Sequence, residues 1–181
     1  CRRTSDWTAV KTELKIYEPG LEEHPKSGAI LGNSLMLLWI ALGTIGCWFL
    51  EPIIAWIYLP VAVVTVFVVL RRLVCTKCYY YGKWCPIGWG KLSALLFKKG
   101  NIEDFDKSIG VRLAPMSYGL LTLVPVVCTV VSMIQDFAIP KVIVLVALLA
   151  YSVYSGAISR RSSCKNCKMR SICPGCAVKS N

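Results

Sequence analysis

Four apolar runs without a charged residue limit how this chain can fold. They cover residues 29–50, 52–70, 113–134 and 142–158. Each run is close to the length of about 20 helical residues that crosses a hydrocarbon core of roughly 30 Å. The polar segments between them are too short and too scattered to cover four such helices in a soluble core. The pattern therefore predicts an all-α integral membrane protein with four transmembrane helices.

The composition is that of a membrane protein. Of the 181 residues, 55% are hydrophobic and 17% are charged, and the mean hydropathy is +0.56. Soluble domains carry about 25% charged residues. The chain has one histidine, His24, and one histidine cannot supply the two axial ligands of a bis-histidine haem. We expect a structural or exposed role for His24. We find no nucleophile–base pair, phosphate-binding loop or carboxylate dyad that would indicate a hydrolase or a transferase.

The basic residues predict how the helices are oriented. Of the 21 Lys and Arg residues, five lie in 1–28, nine in 71–112 and six in 159–181, and only Lys141 lies elsewhere. Cytoplasmic loops carry an excess of Lys and Arg. We therefore expect both termini and the 71–112 loop on the cytoplasmic side of a prokaryotic inner membrane. Because the charge surrounds the spans, we expect the lipid bilayer and no nucleic acid as a partner.

A cysteine-containing stretch occurs twice in the chain. Residues 71–91 read RRLVCTKCYYYGKWCPIGWGK, and residues 160–179 read RRSSCKNCKMRSICPGCAVK. Both contain Arg-Arg-x-x-Cys-x-x-Cys followed by Cys-Pro, and Cys75 and Cys164 are 89 positions apart. A fixed offset of this kind indicates an internal duplication. The sequence thus predicts two tandem two-helix repeats, each followed by a cytoplasmic cysteine motif.

The duplication divides the chain into three parts. These are a cytoplasmic N-terminal segment (1–28), repeat 1 (29–112) and repeat 2 (113–181). We name residues 75–85 the first knot and residues 164–176 the second knot. Repeat 1 also contains an apolar and basic stretch at about 89–99, which predicts an amphipathic helix at the membrane interface.

The cysteines predict a metal site or redox chemistry in both knots. Eight of the ten cysteines lie in segments expected on the reducing side of the membrane, where stable disulfides are rare. The predicted ligands are Cys75, Cys78, Cys85, Cys164, Cys167, Cys173 and Cys176. The first knot has three thiolates, so its fourth ligand would be Cys1, a residue of a partner, or an open position. We expect Cys47 and Cys128, in the apolar runs, to be small buried hydrophobic residues.

The spacing of the cysteines is compatible with two kinds of metal site, an iron–sulfur cluster and a zinc site. Zinc ribbons separate their two Cys-x-x-Cys pairs by a dozen residues or more, whereas the second knot separates Cys167 from Cys173 by five. Compact cysteine runs that end in Cys-Pro are typical of iron–sulfur proteins. We therefore expect an iron–sulfur cluster of the [4Fe–4S] type, with zinc as the alternative. The basic residues around both knots would stabilise thiolates and attract anionic lipid or an acidic soluble partner.

The helix layout resembles a known family of membrane proteins. It is similar to the membrane-bound ferredoxin-type subunits of nitrate-reductase quinol oxidation systems and to their relatives in nitrous oxide reductase maturation. The similarity lies in the four helices, the Cys-Pro motif after helices two and four, and Trp84, Cys85, Pro86 and Gly88, which resemble the family's Trp-x-Cys-Pro-x-Gly-like motif. The resemblance implies electron transfer between the quinone pool and a redox partner.

Three functions are compatible with these features. The first is an electron-transfer subunit with iron–sulfur clusters inside a larger membrane complex, with quinone or an acidic electron carrier as its partner. Such a chain would be a subunit of a redox complex rather than an enzyme by itself. The second is a non-redox accessory subunit in which zinc knots hold the loops against other subunits. The third is a membrane protein that handles thiols or metals, with the first knot as its open site.

Overall fold

The computed structural model is all-helical in the residues that it describes, which are 16–85, 89–105 and 108–178. No strand occurs within these ranges. The helices and the loops between them form a bundle with both cysteine knots at one end. This agrees with the fold class that the apolar runs predict.

Four helices are long and apolar enough to cross a membrane. We number them spans 1 to 4 in chain order: Lys26–Trp48, Pro52–Lys77, Ile109–Gln135 and Ile139–Lys165. Each span overlaps one of the predicted apolar runs. Spans 2 and 4 continue beyond their runs, through the arginine pairs and into the knots. The first cysteines of each knot are therefore positioned directly by a membrane helix.

Spans 2 and 4 share an unusual internal order of helix types. Each begins as an α-helix, widens into a six-residue π-helical segment and returns to an α-helix at the arginine pair. The π segments are Val64–Val69 in span 2 and Tyr154–Ser159 in span 4. Such segments are rare and frequently lie at functional sites. Here both immediately precede a cysteine knot.

The core of the bundle is built by residues of all four spans. The buried members of this core are Trp39, Ile40, Cys47, Ala55, Tyr58, Ala62, Val66, Leu121, Cys128 and Leu148. Spans 1 and 2 approach closely at Gly43, where a Cβ atom would lie 2.5 Å from the Tyr58 hydroxyl oxygen. Spans 1 and 3 approach in the same way at Gly46, where a Cβ atom would lie 2.6 Å from Thr129 Oγ1. Small residues at helix contacts are typical of membrane bundles.

Polar side chains also join the spans. The Tyr58 hydroxyl donates a 2.9 Å hydrogen bond to the Leu121 carbonyl and so joins spans 2 and 3. The Ser132 hydroxyl donates a 2.6 Å bond to the Phe49 carbonyl, at the opposite end of the bundle from the knots. An unsatisfied polar group in hydrocarbon costs several kcal/mol. These bonds therefore fix how the helices face one another.

Span 4 is the least covered of the four. In its most apolar stretch 6% of the residues are buried, against 28% in each of the other three spans. Its large exposed side chains include Ile143, Val146, Leu149 and Val153. A surface of this kind suits lipid acyl chains, as expected for an integral membrane protein.

The helix that the sequence predicts at the membrane interface follows the first knot and covers Trp89–Leu96. We call it the interfacial helix after that prediction. It is three residues shorter than the predicted stretch at about 89–99. After the helix, the Gly100 N–H donates a 3.0 Å hydrogen bond to the Thr76 carbonyl, which holds the chain against the end of span 2. Its start is held close to the first knot at Gly90, where an added Cβ atom would overlap the Tyr80 and Lys83 carbonyl oxygens.

Candidate metal centre

The first knot begins as the last turn of span 2. The helix narrows to a 3₁₀ turn at Cys75–Lys77, and the Tyr81 N–H then donates a 3.1 Å hydrogen bond to the Cys78 carbonyl. The chain reverses at Gly82, whose φ of 80° lies in the left-handed region that favours glycine. The Gly82 N–H donates a 2.9 Å bond to the Gly90 carbonyl and closes the loop against the interfacial helix.

The second knot is a series of tight turns that carries four cysteines. The Cys167 N–H donates to the Cys164 carbonyl at 3.3 Å, and the Cys176 N–H donates to the Cys173 carbonyl at 3.1 Å. Burial, together with the nearby thiols of the other three cysteines, raises the pKa of the Cys167 thiol to about 11. All four sulfur atoms are therefore close enough to influence one another's charge.

The two knots adjoin each other. Burial raises the pKa of the Cys78 thiol well above its ordinary value, and the thiols of Cys75, Cys167 and Cys85 add to this effect. Cys78 and Cys167 are corresponding residues of the two repeats, 89 positions apart. The structure therefore brings the two predicted ligand sets into one region, which the sequence pattern alone does not indicate.

A second apolar cluster surrounds this region. Its buried members are Ile16, Tyr79, Tyr80, Ile102, Phe105, Val111 and Met169. The side chains of Cys78, Cys85, Cys167 and Cys173 pack against it. These four cysteines are half-buried, so a charge on any of them would be stabilised mainly by nearby cations or by a bound metal.

Arg71 supplies a buried cation beside the first knot. Its side chain is 6% exposed, and its guanidinium lies 5.0 Å from the centre of the Trp89 ring. Arg71 and the buried hydroxyl of Ser93 both lie beside Cys75. Arg71 Nε, Arg71 Nη2 and Ser93 Oγ make no hydrogen bond of normal geometry within the described ranges. These donors are placed to stabilise negative charge on a sulfur atom at this point.

The second knot has a similar arginine. Arg160 Nη2 donates a hydrogen bond to the Gly175 carbonyl, and its guanidinium lies near the thiols of Cys164 and Cys173. Arg160 is exposed, unlike Arg71, and so are the second arginines of the two pairs, Arg72 and Arg161. In each repeat the first arginine of the pair nevertheless lies near the cysteines.

The segment before span 1 crosses both knots. The Tyr17 N–H donates to the Lys168 carbonyl at 3.1 Å, and the Leu21 N–H donates to the Asn166 carbonyl at 2.9 Å. The Tyr80 hydroxyl donates a 2.7 Å bond to the Leu21 carbonyl. Residues 17–24 therefore join the two repeats at the site, a role that nothing in their sequence indicates.

A small charge network holds this segment in place. Lys168 Nζ lies 2.9 Å from Glu22 Oε1, and Lys83 Nζ lies 3.4 Å from Glu22 Oε2. The hydrogen bond from Lys168 lowers the pKa of Glu22 to about 2, with the charge of Lys83 also contributing. The same bond raises the pKa of Lys168. The network lies at the solvent-facing edge of the site, because the Glu22 side chain is 63% exposed.

His24 lies beside the first knot. Its backbone N–H donates a 2.9 Å hydrogen bond to the Trp84 carbonyl, next to Cys85, and its ring centre lies 5.4 Å from that of Tyr80. Burial lowers the pKa of the imidazole. Its buried Nε2 atom makes no hydrogen bond to the part of the chain that the structure describes. The sequence offered no sign of this position, because His24 is about 50 residues from the knot in the chain.

Within 16–85, 89–105 and 108–178, no three side chains of His, Cys, Asp or Glu are arranged to hold one metal ion. A ligand set that consists only of cysteine thiols is of the kind that binds zinc or an iron–sulfur cluster. The candidate ligand Cys1 lies outside the described residues.

The remaining two cysteines lie in the membrane core. Cys47 and Cys128 are buried among apolar residues, as predicted. Their thiols also contact each other across spans 1 and 3, which the sequence did not suggest. They belong to the bundle core and not to the cluster around the knots.

Comparisons of the chain with protein-family models, curated proteins and solved structures find no match. The function is therefore inferred from the residues and geometry described above.

Proposed function

We propose that this protein is a membrane-integral subunit that holds thiolate-bound iron–sulfur clusters and takes part in electron transfer within a larger membrane complex. The observation that carries the proposal is the meeting of the two knots at Cys78 and Cys167. When bound to thiolates, an iron–sulfur cluster accepts and releases single electrons. Two neighbouring thiol sets, each at the end of a membrane span, suit transfer between a membrane-side donor and a soluble acceptor.

The arginines support an anionic centre in each knot. A buried guanidinium without a paired carboxylate is costly, and Arg71 forms no ion pair within the described residues. A thiolate centre at Cys75 would supply the missing negative charge. In the second repeat Arg160 lies near Cys164 and Cys173, but it is exposed, so its support is its positive charge alone. A metal site built from carboxylates would not need these cations beside its cysteines.

The matching order of helix types in spans 2 and 4 supports a duplicated unit. In both spans a π segment precedes an Arg-Arg pair and then a cysteine knot. The concentration of Lys and Arg at this end of the bundle supports a cytoplasmic location for the knots. Both ligand sets would then face the same side of the membrane.

The first knot requires a fourth donor. His24 is a second candidate for this position, in addition to Cys1. Its Nε2 atom is buried and without a hydrogen bond in the described structure, and its lowered pKa keeps the imidazole neutral near pH 7. A neutral imidazole nitrogen is an ordinary metal ligand. A set of three thiolates and one imidazole suits either zinc or an iron–sulfur cluster.

One observation favours the second candidate, a non-redox accessory subunit with zinc knots. The residues around the knots join three separate parts of the chain, through the bonds from Tyr17 to Lys168 and from Tyr80 to Leu21. A metal that only stabilises structure would lie at such a junction. Zinc in both knots would fasten loops that are too short to fold by themselves.

Metal content decides between these functions. The protein would be purified anaerobically in mild detergent and analysed for iron, labile sulfide and zinc, together with visible absorption and electron paramagnetic resonance. Iron with sulfide and a signal that appears on reduction is the expected result. Zinc without iron would favour the accessory subunit instead. Protein that binds neither metal after anaerobic reconstitution would refute both proposals.

The same preparation tests His24. If the imidazole is a ligand, His24→Ala removes the metal of the first knot, whereas His24→Cys restores it. Unchanged metal content in His24→Ala would exclude the histidine and leave Cys1 as the candidate, which Cys1→Ala would then test.

A further inference from the structure

A basic groove opens where the interfacial helix meets two membrane spans. It has a volume of about 740 Å³. One wall is the end of span 2, a second is the end of the interfacial helix, and the third is the start of span 3. Spans 2 and 3 are apolar enough to cross a membrane, so the groove, at the end of these spans near the knots, is expected at the boundary between lipid and water.

The polar part of the groove is positively charged. Arg72 and Lys77 lie on the span 2 wall, and Lys98 lies just after the interfacial helix. No carboxylate of the described residues is among the groove-lining side chains. Arg72 and Lys98 are exposed, so both can reach a ligand that enters from the side. Three cations around one opening favour an anion there.

The apolar part of the groove faces the membrane. Leu96 is 62% exposed and Ile109 is 69% exposed, and both line the groove beside Phe97. The ligand that fits must therefore combine a negative charge with an apolar body. Inorganic anions supply only the first of these.

The walls are held together without a ligand. The Gly100 N–H donates a 3.0 Å hydrogen bond to the Thr76 carbonyl, and the Ser108 hydroxyl donates a 3.0 Å bond to the Leu73 carbonyl. At Gly110 a Cβ atom would overlap Leu73, so spans 2 and 3 are in direct contact there. A groove held in this way loses little conformational entropy when it binds.

We propose that this groove binds an anionic phospholipid, with the lipid phosphate between Arg72, Lys77 and Lys98 and an acyl chain along Leu96 and Ile109. Clusters of Lys and Arg next to a membrane helix bind anionic lipid through charge attraction, which weakens within a Debye length. None of the predicted metal ligands lines the groove, although Thr76 and Lys77 lie between Cys75 and Cys78 in the chain.

Native mass spectrometry of the delipidated, detergent-solubilised protein tests the site. The probes are phosphatidylglycerol, which has a net negative charge, phosphatidylcholine, which has the same phosphate but no net charge, and inorganic phosphate. We expect phosphatidylglycerol to bind at least about tenfold more tightly than phosphatidylcholine. The triple variant Arg72→Gln, Lys77→Gln and Lys98→Gln should lose this preference, and the single variant Lys98→Gln should reduce it.

The matched control removes three cations that do not line the groove, through Lys91→Gln, Arg161→Gln and Lys165→Gln. It should keep the preference for phosphatidylglycerol. Equal losses in both triple variants would show a general effect of charge and overturn the site. Inorganic phosphate that displaces the lipid at matched concentration would reassign the groove to a soluble phosphate compound. Unchanged helical circular dichroism confirms that each variant folds.

Discussion

The backbone N–H of Lys168 donates a 3.2 Å hydrogen bond to the hydroxyl of Tyr80, a residue 88 positions earlier in the chain. The same hydroxyl donates to the Leu21 carbonyl at 2.7 Å. One oxygen atom therefore links both repeats and the segment before span 1. Burial raises the pKa of Tyr80, so the group remains a neutral donor throughout the physiological range.

Replacing Tyr80 with Phe removes this link while keeping the ring. We expect a loss of about 1–3 kcal/mol in the free energy of unfolding, because the Lys168 N–H and the Leu21 carbonyl lose their partner. Hydrogen exchange should also become faster over residues 17–24. Tyr81→Phe is the control, since its hydroxyl bonds only within repeat 1, to the Phe97 carbonyl. Equal acceleration in both variants would contradict the linking role.

Gly90→Ala tests how tightly the first knot packs against the interfacial helix. The added methyl group would overlap the Tyr80 and Lys83 carbonyl oxygens, and backbone atoms have little freedom to move away. We expect destabilisation of about 1–3 kcal/mol by thermal unfolding in detergent. In Gly119→Ala the methyl group meets nothing within 4 Å, so this control should be neutral or slightly stabilising. An unchanged melting temperature in Gly90→Ala would contradict this close packing of the loop against the helix.

The Glu22 network predicts a pH dependence of stability. The Glu22 pKa falls from 4.5 to about 2 in the folded protein. A lowered acid pKa stabilises the fold above pH 4.5, and this contribution is lost as the pH falls from 4.5 towards 2. The melting temperature should therefore exceed that of Glu22→Gln at pH 7 and approach it in acid.

The size of this difference should be small and sensitive to salt. Because the Glu22 side chain is 63% exposed, solvent screens the pair, and we expect less than about 1 kcal/mol at pH 7. Glu23→Gln, a neighbouring exposed carboxylate, should change the melting temperature equally little at every pH. A difference for Glu22→Gln that does not vary with pH would contradict the ion pair.

Cys167→Ser tests whether the central thiol of the site is a metal ligand. It should weaken metal binding at the second knot by at least about tenfold, because a hydroxyl is a poor substitute for a thiolate ligand. The measurement is metal content after dialysis against a graded chelator. Cys128→Ala, in the membrane core, should retain all of the metal. Equal metal content in the two variants would remove Cys167 from the ligand set.

The membrane part of this fold was readable from the sequence. Runs such as 52–70 contain no charged residue over the length of a bilayer, and burial in lipid leaves helix as the available structure. The spacing of Cys75 and Cys164 likewise marked where each knot begins. Both signals are local, because they depend only on neighbouring residues in the chain.

The meeting of the knots was not readable. The approach of Cys78 to Cys167 depends on how spans 2 and 4 pack around spans 1 and 3, and no local pattern encodes that packing. The position of His24 beside Trp84 has the same origin. The π segments were also missed, since Val64–Val69 has the composition of any apolar helix. These features arise from contacts between residues that are far apart in the chain.

The π segments determine the direction in which each knot's residues point. A π turn contains one residue more than an α turn, so all residues after it are rotated about the helix axis by about 100° relative to an uninterrupted α-helix. In span 2 the exposed side chains before Val64 therefore lie on a different line along the helix from those after Val69. After Val69, Arg71 faces inward and Arg72 faces outward. Deleting one residue from Val64–Val69 would let span 2 continue as a regular α-helix and keep Arg71 facing inward. A regular α-helix that kept all six residues would instead turn Arg71 outward, to the face where Arg72 lies.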